Sequence, residues 1–334
     1  MNRKNTIYSG VTWVALAIII FMPFVLPSMT LATEIVIFAL AALACNLLLG
    51  YTGLLSFGQG IFFGSGAYSA SLVMIHLDFG LFGALFTATL FGSVLAFVVG
   101  ALSIRRTGIY FVMLTLAFTQ MAYFLAYSFS DWTGGDNGLL DVPRPELSIF
   151  GVTISSLSDS SSFYIFVAVI FMLVFISARR IIHSPFGTTL VAIRENEGRA
   201  SAVGFSTNHF KLLAFVISGA ITGLAGALYA MLINFAPLSN IELLMSENIL
   251  IMTIIGGTGS LIGSIFGSGA IILIGDVLSA YWPRWMMLLG AALIAIVLIM
   301  PGGIYGGIMN LKAKVSSLNL FRKAKETQLL EVSK

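Results

Sequence analysis

Chemistry in this chain would have to come from a few hydroxyl and amide side chains set inside long apolar runs. Thr52, Ser56, Gln59 and Tyr68 lie in one run, and Thr115, Thr119 and Gln120 lie in another at helical spacing. A polar group left unsatisfied in hydrocarbon is expensive. Each must therefore meet a partner helix, where a hydrogen bond is worth about 0.6–2 kcal/mol, or line a path for a polar solute. As a set they read as candidates for a translocation path. Nothing in the sequence points to bond making. No Ser/His/Asp grouping meets at one depth, and there is no HExxH motif or His/Cys cluster at metal-ligand spacing. His76, His183 and His209 are far apart and fall on both sides of the apolar runs. No catalytic residue, metal site or cofactor is expected. A GxxxxGK[ST] phosphate loop is also absent from the sequence, so ATP driving this chain would be bound and hydrolysed on a separate polypeptide.

A second set of residues has the chemistry of a docking surface. The segment 179–211 carries five Lys/Arg and two Glu in a chain with only 9% charged residues. Ser184 can cap a helix and Pro185 suits its first position. Leu190 and Ile193 are three apart, while Arg194, Glu195 and Glu197 give the same short helix a polar side. Ala200, Ala202 and Val203 follow, and Gly204 ends the run. Such an amphipathic helix fits a groove on a soluble partner. It could instead lie on lipid headgroups, but its two Glu sit poorly against anionic lipid.

The elements that position these residues are set by composition. Apolar residues make up 58% of the chain and mean hydropathy is +1.00, against a soluble norm of about 25% charged residues. Runs of about 20 apolar residues can each span a hydrocarbon layer of about 30 Å. The sequence predicts an all-α polytopic membrane protein with 8–10 transmembrane helices. Spans are placed near 10–29, 32–50, 54–77, 80–103, 108–129, 163–178, 212–233, 243–258, 260–280 and 285–302. The first is expected to be a retained helix and not a cleaved signal. The single cysteine, Cys45, lies within a span, so no disulfide framework is expected.

Charge sets the orientation. Of the 17 Lys/Arg, all but Arg144 and Arg284 fall on the side that holds both termini and the 179–211 segment. Cytoplasmic loops carry such an excess, so both termini and the docking segment are expected in the cytoplasm. Glu34, Asp78, Asp131, Asp136, Asp141, Glu146, Asp159, Glu242, Glu247 and Asp276 fall outside or near the outer ends of spans. The domain reading is one transmembrane unit over 1–310, an external loop at 130–162 and a basic tail at 311–334. A net charge of +3 gives no reason to expect nucleic acid. The tail is suited to anionic membrane lipid. Span centres hold essentially no ionisable residue, which argues against proton coupling more than against sodium sites built from backbone carbonyls.

Two glycine-rich stretches share a pattern. Residues 51–67 read YTGLLSFGQGIFFGSGA and residues 257–270 read GTGSLIGSIFGSGA. Both carry TG followed by FGSGA, consistent with an internal duplication or with chance recurrence in a chain rich in glycine. Both TG turns are expected near the cytoplasmic side. The outer loop WTGGDNGL at 132–139 implies tight turns and an acidic external face.

The chain resembles the permease subunits of ABC importers for branched-chain amino acids, in their LivM-type branch. The resemblance covers about residues 30–302. It rests on GYTGLLSFGQ at 50–59, GIYFVMLTLAF at 108–118, TGGDNGL at 133–139, AIRENE at 192–197, KLLAF at 211–215 and GLAGAL at 223–228. It implies that Pro185 to Gly204 is a coupling helix seated in an ATPase cleft, with Glu195 and Glu197 near the contact. The glycine of the importer-type loop is present as Gly204, but Glu197 is followed by Gly-Arg and not Ala-Ala. It further implies a second related permease, two cytoplasmic ATPase subunits, a periplasmic or lipid-anchored binding protein and a multi-pass site in the bacterial inner membrane. The implied cargo is Leu, Ile or Val; urea, short amides or another small solute are the alternatives within that family. A stand-alone or sodium-coupled facilitator is the reading from outside it.

Overall fold

A computed structural model describes residues 3–307, except 78, 145–146, 150–151, 156, 158 and scattered positions from 282 to 301. The elements in chain order are α1 (Arg3–Val25), α2 (Met29–Thr52), α3 (Gln59–His76), α4 (Leu81–Ser103), α5 (Ile109–Ser128) and the short α6 (Ser130–Thr133). A hairpin of β1 (Leu147–Ile149) and β2 (Val152–Ser155) follows. Then come α7 (Ser160–Ile182), α8 (Pro185–Glu195), α9 (Glu197–Ala202), α10 (Thr207–Ile233), α11 (Leu243–Gly256) and α12 (Gly263–Tyr281). Six of these helices are long and apolar enough to cross a membrane, and Gly10–Val25 and Leu243–Gly256 are shorter apolar helices. The protein is a polytopic helical membrane protein. The expected span at 285–302 falls largely outside the described residues, as does the tail at 311–334.

The bundle is organised around α2, whose most apolar stretch is 89% buried. It packs against α7, α10, α11 and α12, while α3, α4 and α10 form a tight group beside it. Lipid offers helices no hydrophobic drive to associate, so close backbone approach must supply the attraction. A Cβ on Gly66 of α3 would lie 2.0 Å from the Gly223 carbonyl oxygen of α10. One on Gly226 would lie 1.8 Å from the Phe63 carbonyl oxygen.

The expected span over 54–77 is helical only from Gln59. Gly53 ends α2 in the left-handed conformation at φ 72°, and residues 54–58 run on without helical bonds. Inside a membrane such a break needs outside partners, and α5 supplies them. Thr115 Oγ1 accepts from the Phe57 amide at 3.2 Å, and Thr119 Oγ1 donates to the Phe57 carbonyl at 2.8 Å. The amide of Gly60, in the first turn of α3, donates to Ser246 of α11 at 2.8 Å.

The two sides of the bundle separate the charges as their sequence pattern implies. Ile104, at the end of α4 beside Arg105 and Arg106, joins Leu190 of α8 and Leu48 of α2 in one apolar cluster. On the opposite side His76 meets Trp132 of α6 at 6.4 Å between ring centroids, and Leu139 pairs with Ala236. Arg144 lies on that acidic side, yet its guanidinium donates to the carbonyls of Met231 at 3.0 Å and of Leu232. It also lies 5.5 Å from the Phe163 ring centroid. Its charge is taken up by the end of α10 and is not displayed outward.

Candidate functional site

The site is a connector of two short helices fixed to one side of the bundle. Ser184 caps α8 by accepting from the Gly187 amide, with Pro185 at its start. Asn196, extended at φ −161°, ends α8 and caps α9 by accepting from the Arg199 amide at 2.8 Å. Gly204 terminates the run at φ 101°, a conformation glycine adopts without strain. The start at Ser184–Pro185 and the stop at Gly204 follow the sequence reading, but the single helix expected between them is broken at Asn196, which places Glu197 on a separate helix.

The faces differ from expectation. Leu190 is 2% and Ile193 3% exposed, and both turn inward. The apolar patch expected to meet a soluble partner is therefore already covered by this chain's own helices. The outward stripe is Pro185, Thr188, Ala192 and Glu195, at spacings of three and four, all exposed. Past the Asn196 kink, Ala202 and Val203 continue the exposed surface, with Val203 74% exposed.

Two polar contacts anchor the connector. Glu197 pairs with Lys211, a buried cation near the start of α10, at 2.5 Å. Arg194 donates to the carbonyl oxygen of Gly50, near the end of α2. Both TG turns lie here, as the sequence implied. Gly259 of the second turn donates its amide to Asn46 Oδ1 at 2.8 Å. Asn46 Nδ2 donates to Ser260 O at 2.7 Å, and the Tyr51 hydroxyl donates to Gly259 O at 2.8 Å. Asn46, Tyr51 and Lys211 did not stand out in sequence. The rule that a polar group in a span needs a partner singles out Asn46 as readily as it did Thr52.

The path candidates fall into three groups. Thr52, Ser56, Gln59, Thr115 and Thr119 are buried with hydrogen bonds inside the chain. Gln59 donates to Ser218 at 3.3 Å and accepts from Thr222 at 2.7 Å. Tyr68 borders an apolar cavity of about 640 Å³ between α3, α4 and α5, and its buried hydroxyl has no hydrogen-bond partner among the described residues. Gln120 stands apart: it is exposed, while Thr115 and Thr119 face inward. Gln120 does not share the inward face of the two threonines, because neighbours on a helix are about 100° apart. Gln120 instead belongs to an exposed stripe of Tyr110, Met113, Ala117, Gln120, Phe124 and Tyr127. Its alternating spacings of three and four are those of a helix–helix seam, and three of its six members carry polar groups.

A profile of the family described as the permease component of branched-chain amino acid transport systems matches residues 28–298. The chain belongs to this family. It is 26% identical over 309 residues to the LivM high-affinity branched-chain amino acid permease protein of Salmonella typhimurium, covering 86% of this chain and 73% of that protein. It is 27% identical over 294 residues to LivM of Escherichia coli, covering 82% and 69%. A shorter match, 32% over 124 residues, is to the autoinducer 2 import permease LsrC of an Enterobacter species, with 35% and 36% covered. No solved structure matches. The family is described as a permease component, so its members are transport subunits.

Proposed function

We propose that this chain is the membrane permease subunit of an ATP-driven importer of leucine, isoleucine and valine in a bacterial inner membrane. A second, related permease stands beside it, two ATPase subunits bind from the cytoplasm, and a periplasmic or lipid-anchored binding protein delivers the amino acid to the outer face. ATP is bound by the ATPase subunits. The observation that carries this reading is α8: a helix fixed to the bundle by its apolar side that still presents Pro185, Thr188, Ala192 and Glu195 outward. A connector needed only to link two spans has no use for such a face.

Among the described residues most buried polar side chains are engaged within the chain, largely by its backbone, so the route for solute runs along α5, with Gln120 at its middle and the second permease opposite. The test is co-purification through a tag on this chain. Ala192→Arg should abolish recovery of the ATPase and uptake of radiolabelled leucine while insertion into the membrane is unchanged. Wild-type recovery in this variant sinks the docking role. Leucine flux by the chain alone in liposomes would favour a facilitator instead. Competition by unlabelled urea or acetamide, but not by isoleucine, would move the cargo to those solutes.

A further inference from the structure

The contacts between α8 and the two TG turns do more than hold a helix in place. The end of α2 presents carbonyls without intrahelical partners and the negative end of the helix dipole. Arg194 reaches that end from α8 and bonds the Gly50 carbonyl. Its side chain crosses Gly53 so closely that a Cβ there would lie 2.9 Å from Arg194 Cγ. A Cβ on Gly50 would lie 2.4 Å from the Gly259 amide nitrogen, so the last turn of α2, just before the first TG turn, touches the second turn backbone to backbone. Asn46 and the Tyr51 hydroxyl then tie the second turn to α2 through both the amide and the carbonyl of Gly259. The connection runs from α8 through Arg194 to α2, and from α2 to the turn joining α11 and α12. It contains no compliant apolar side chain, and tightly packed contacts transmit displacement instead of absorbing it.

From this geometry we infer that Arg194, Tyr51 and Asn46 form a clamp that transmits movement of α8 to both glycine turns at once. Arg194 is a positioning residue: it moves the turns from which α3 and α12 start. The inference rests on the proposed coupling to an ATPase, and it places the point of transmission at the junction of the turns and not on the exposed face of α8.

The decisive variant is Tyr51→Phe, which deletes one hydroxyl far from the exposed stripe. In the purified complex with its ATPase and binding protein in liposomes, ATPase recovery and ATP hydrolysis should match wild type. Radiolabelled leucine imported per ATP hydrolysed should fall about fivefold or more, the range of an ordinary coupling free energy. Arg194→Ala should show the same fall, and Arg194→Lys a smaller one. A fall in Arg194→Ala with wild-type import per ATP in Tyr51→Phe would overturn the clamp, because Arg194 would then act in docking. Hydrogen exchange on the detergent-purified chain alone supplies an arm that needs no partner. Arg194→Ala and Tyr51→Phe should speed exchange of amides at 54–58 and 257–262 and leave the interiors of α4 and α10 unchanged; unchanged exchange in the turns would refute the clamp. A wild-type chain that captures no ATPase would remove the proposed function, and the exchange result would still decide whether the clamp holds the turns.

Discussion

A single added methyl group separates two kinds of glycine in this protein. At Gly66 a Cβ would meet a backbone carbonyl of another helix at 2.0 Å, whereas at Gly10 it would meet nothing within 4 Å. Overpacking costs about 1–3 kcal/mol when side chains can shift, and a backbone oxygen cannot shift without moving α10. Gly66→Ala should therefore lose most of the monodisperse peak in fluorescence-detected size exclusion, with Gly10→Ala indistinguishable from wild type. Glu197→Gln makes a milder case. It leaves the buried Lys211 ammonium with a neutral partner, and an under-satisfied charge of this kind costs on the order of 1–3 kcal/mol. The expected result is a melting temperature in detergent lowered by several degrees, and an unchanged melt would show the pair to be incidental. Glycine abundance was legible in sequence, but which glycines touch backbone was not. That depends on how α3, α4 and α10 meet, and no residue reports its neighbour across a helix interface.

Helix α5 shows how much of an element can be read from spacing. Its hydroxyls at Thr115 and Thr119 were visible as polar groups in an apolar run, and their need for partners followed from the solvent. Their partner did not follow, because it is the backbone of Phe57, some sixty residues earlier, and only the break after Gly53 creates the demand. Thr119→Val should thus destabilise the protein by about 1–2 kcal/mol through the orphaned Phe57 carbonyl, read as a lower thermal midpoint in detergent. Gln120→Leu should leave that midpoint in place and reduce leucine uptake, since its side chain is exposed. If Gln120→Leu raised or lowered the midpoint as much as Thr119→Val, the two faces of α5 would not be distinct. The connector was read well at its caps and badly at its faces. Ser184, Pro185 and Gly204 act through local bonds, whereas the break at Asn196 was not read and the inward turn of Leu190 and Ile193 depends on how α8 packs against α2, α7 and α10.

At the scale of the whole molecule, charge distribution carried the most information, because the cost of moving Lys and Arg across lipid acts on the entire chain and not on one contact. The orientation it assigns is open to a labelling test. Cys45 is 2% exposed, so the wild-type protein should resist a membrane-impermeant maleimide. Ser201→Cys should react only in inside-out vesicles and Trp132→Cys only in intact cells with a permeable outer layer; the reverse pattern would invert the protein. The span boundaries were less legible wherever glycine breaks a helix, as between Gly53 and Gln59. The central place of α2 has a consequence in time. The ribosome makes α2 early, yet α7, α10, α11 and α12, which enclose it, are made more than a hundred residues later. Asn46 enters the membrane long before Gly259 and Ser260 exist to receive its hydrogen bonds. During synthesis this helix must wait with an unmet amide, in the insertion machinery or among lipids, until the turn that holds Gly259 and Ser260 arrives.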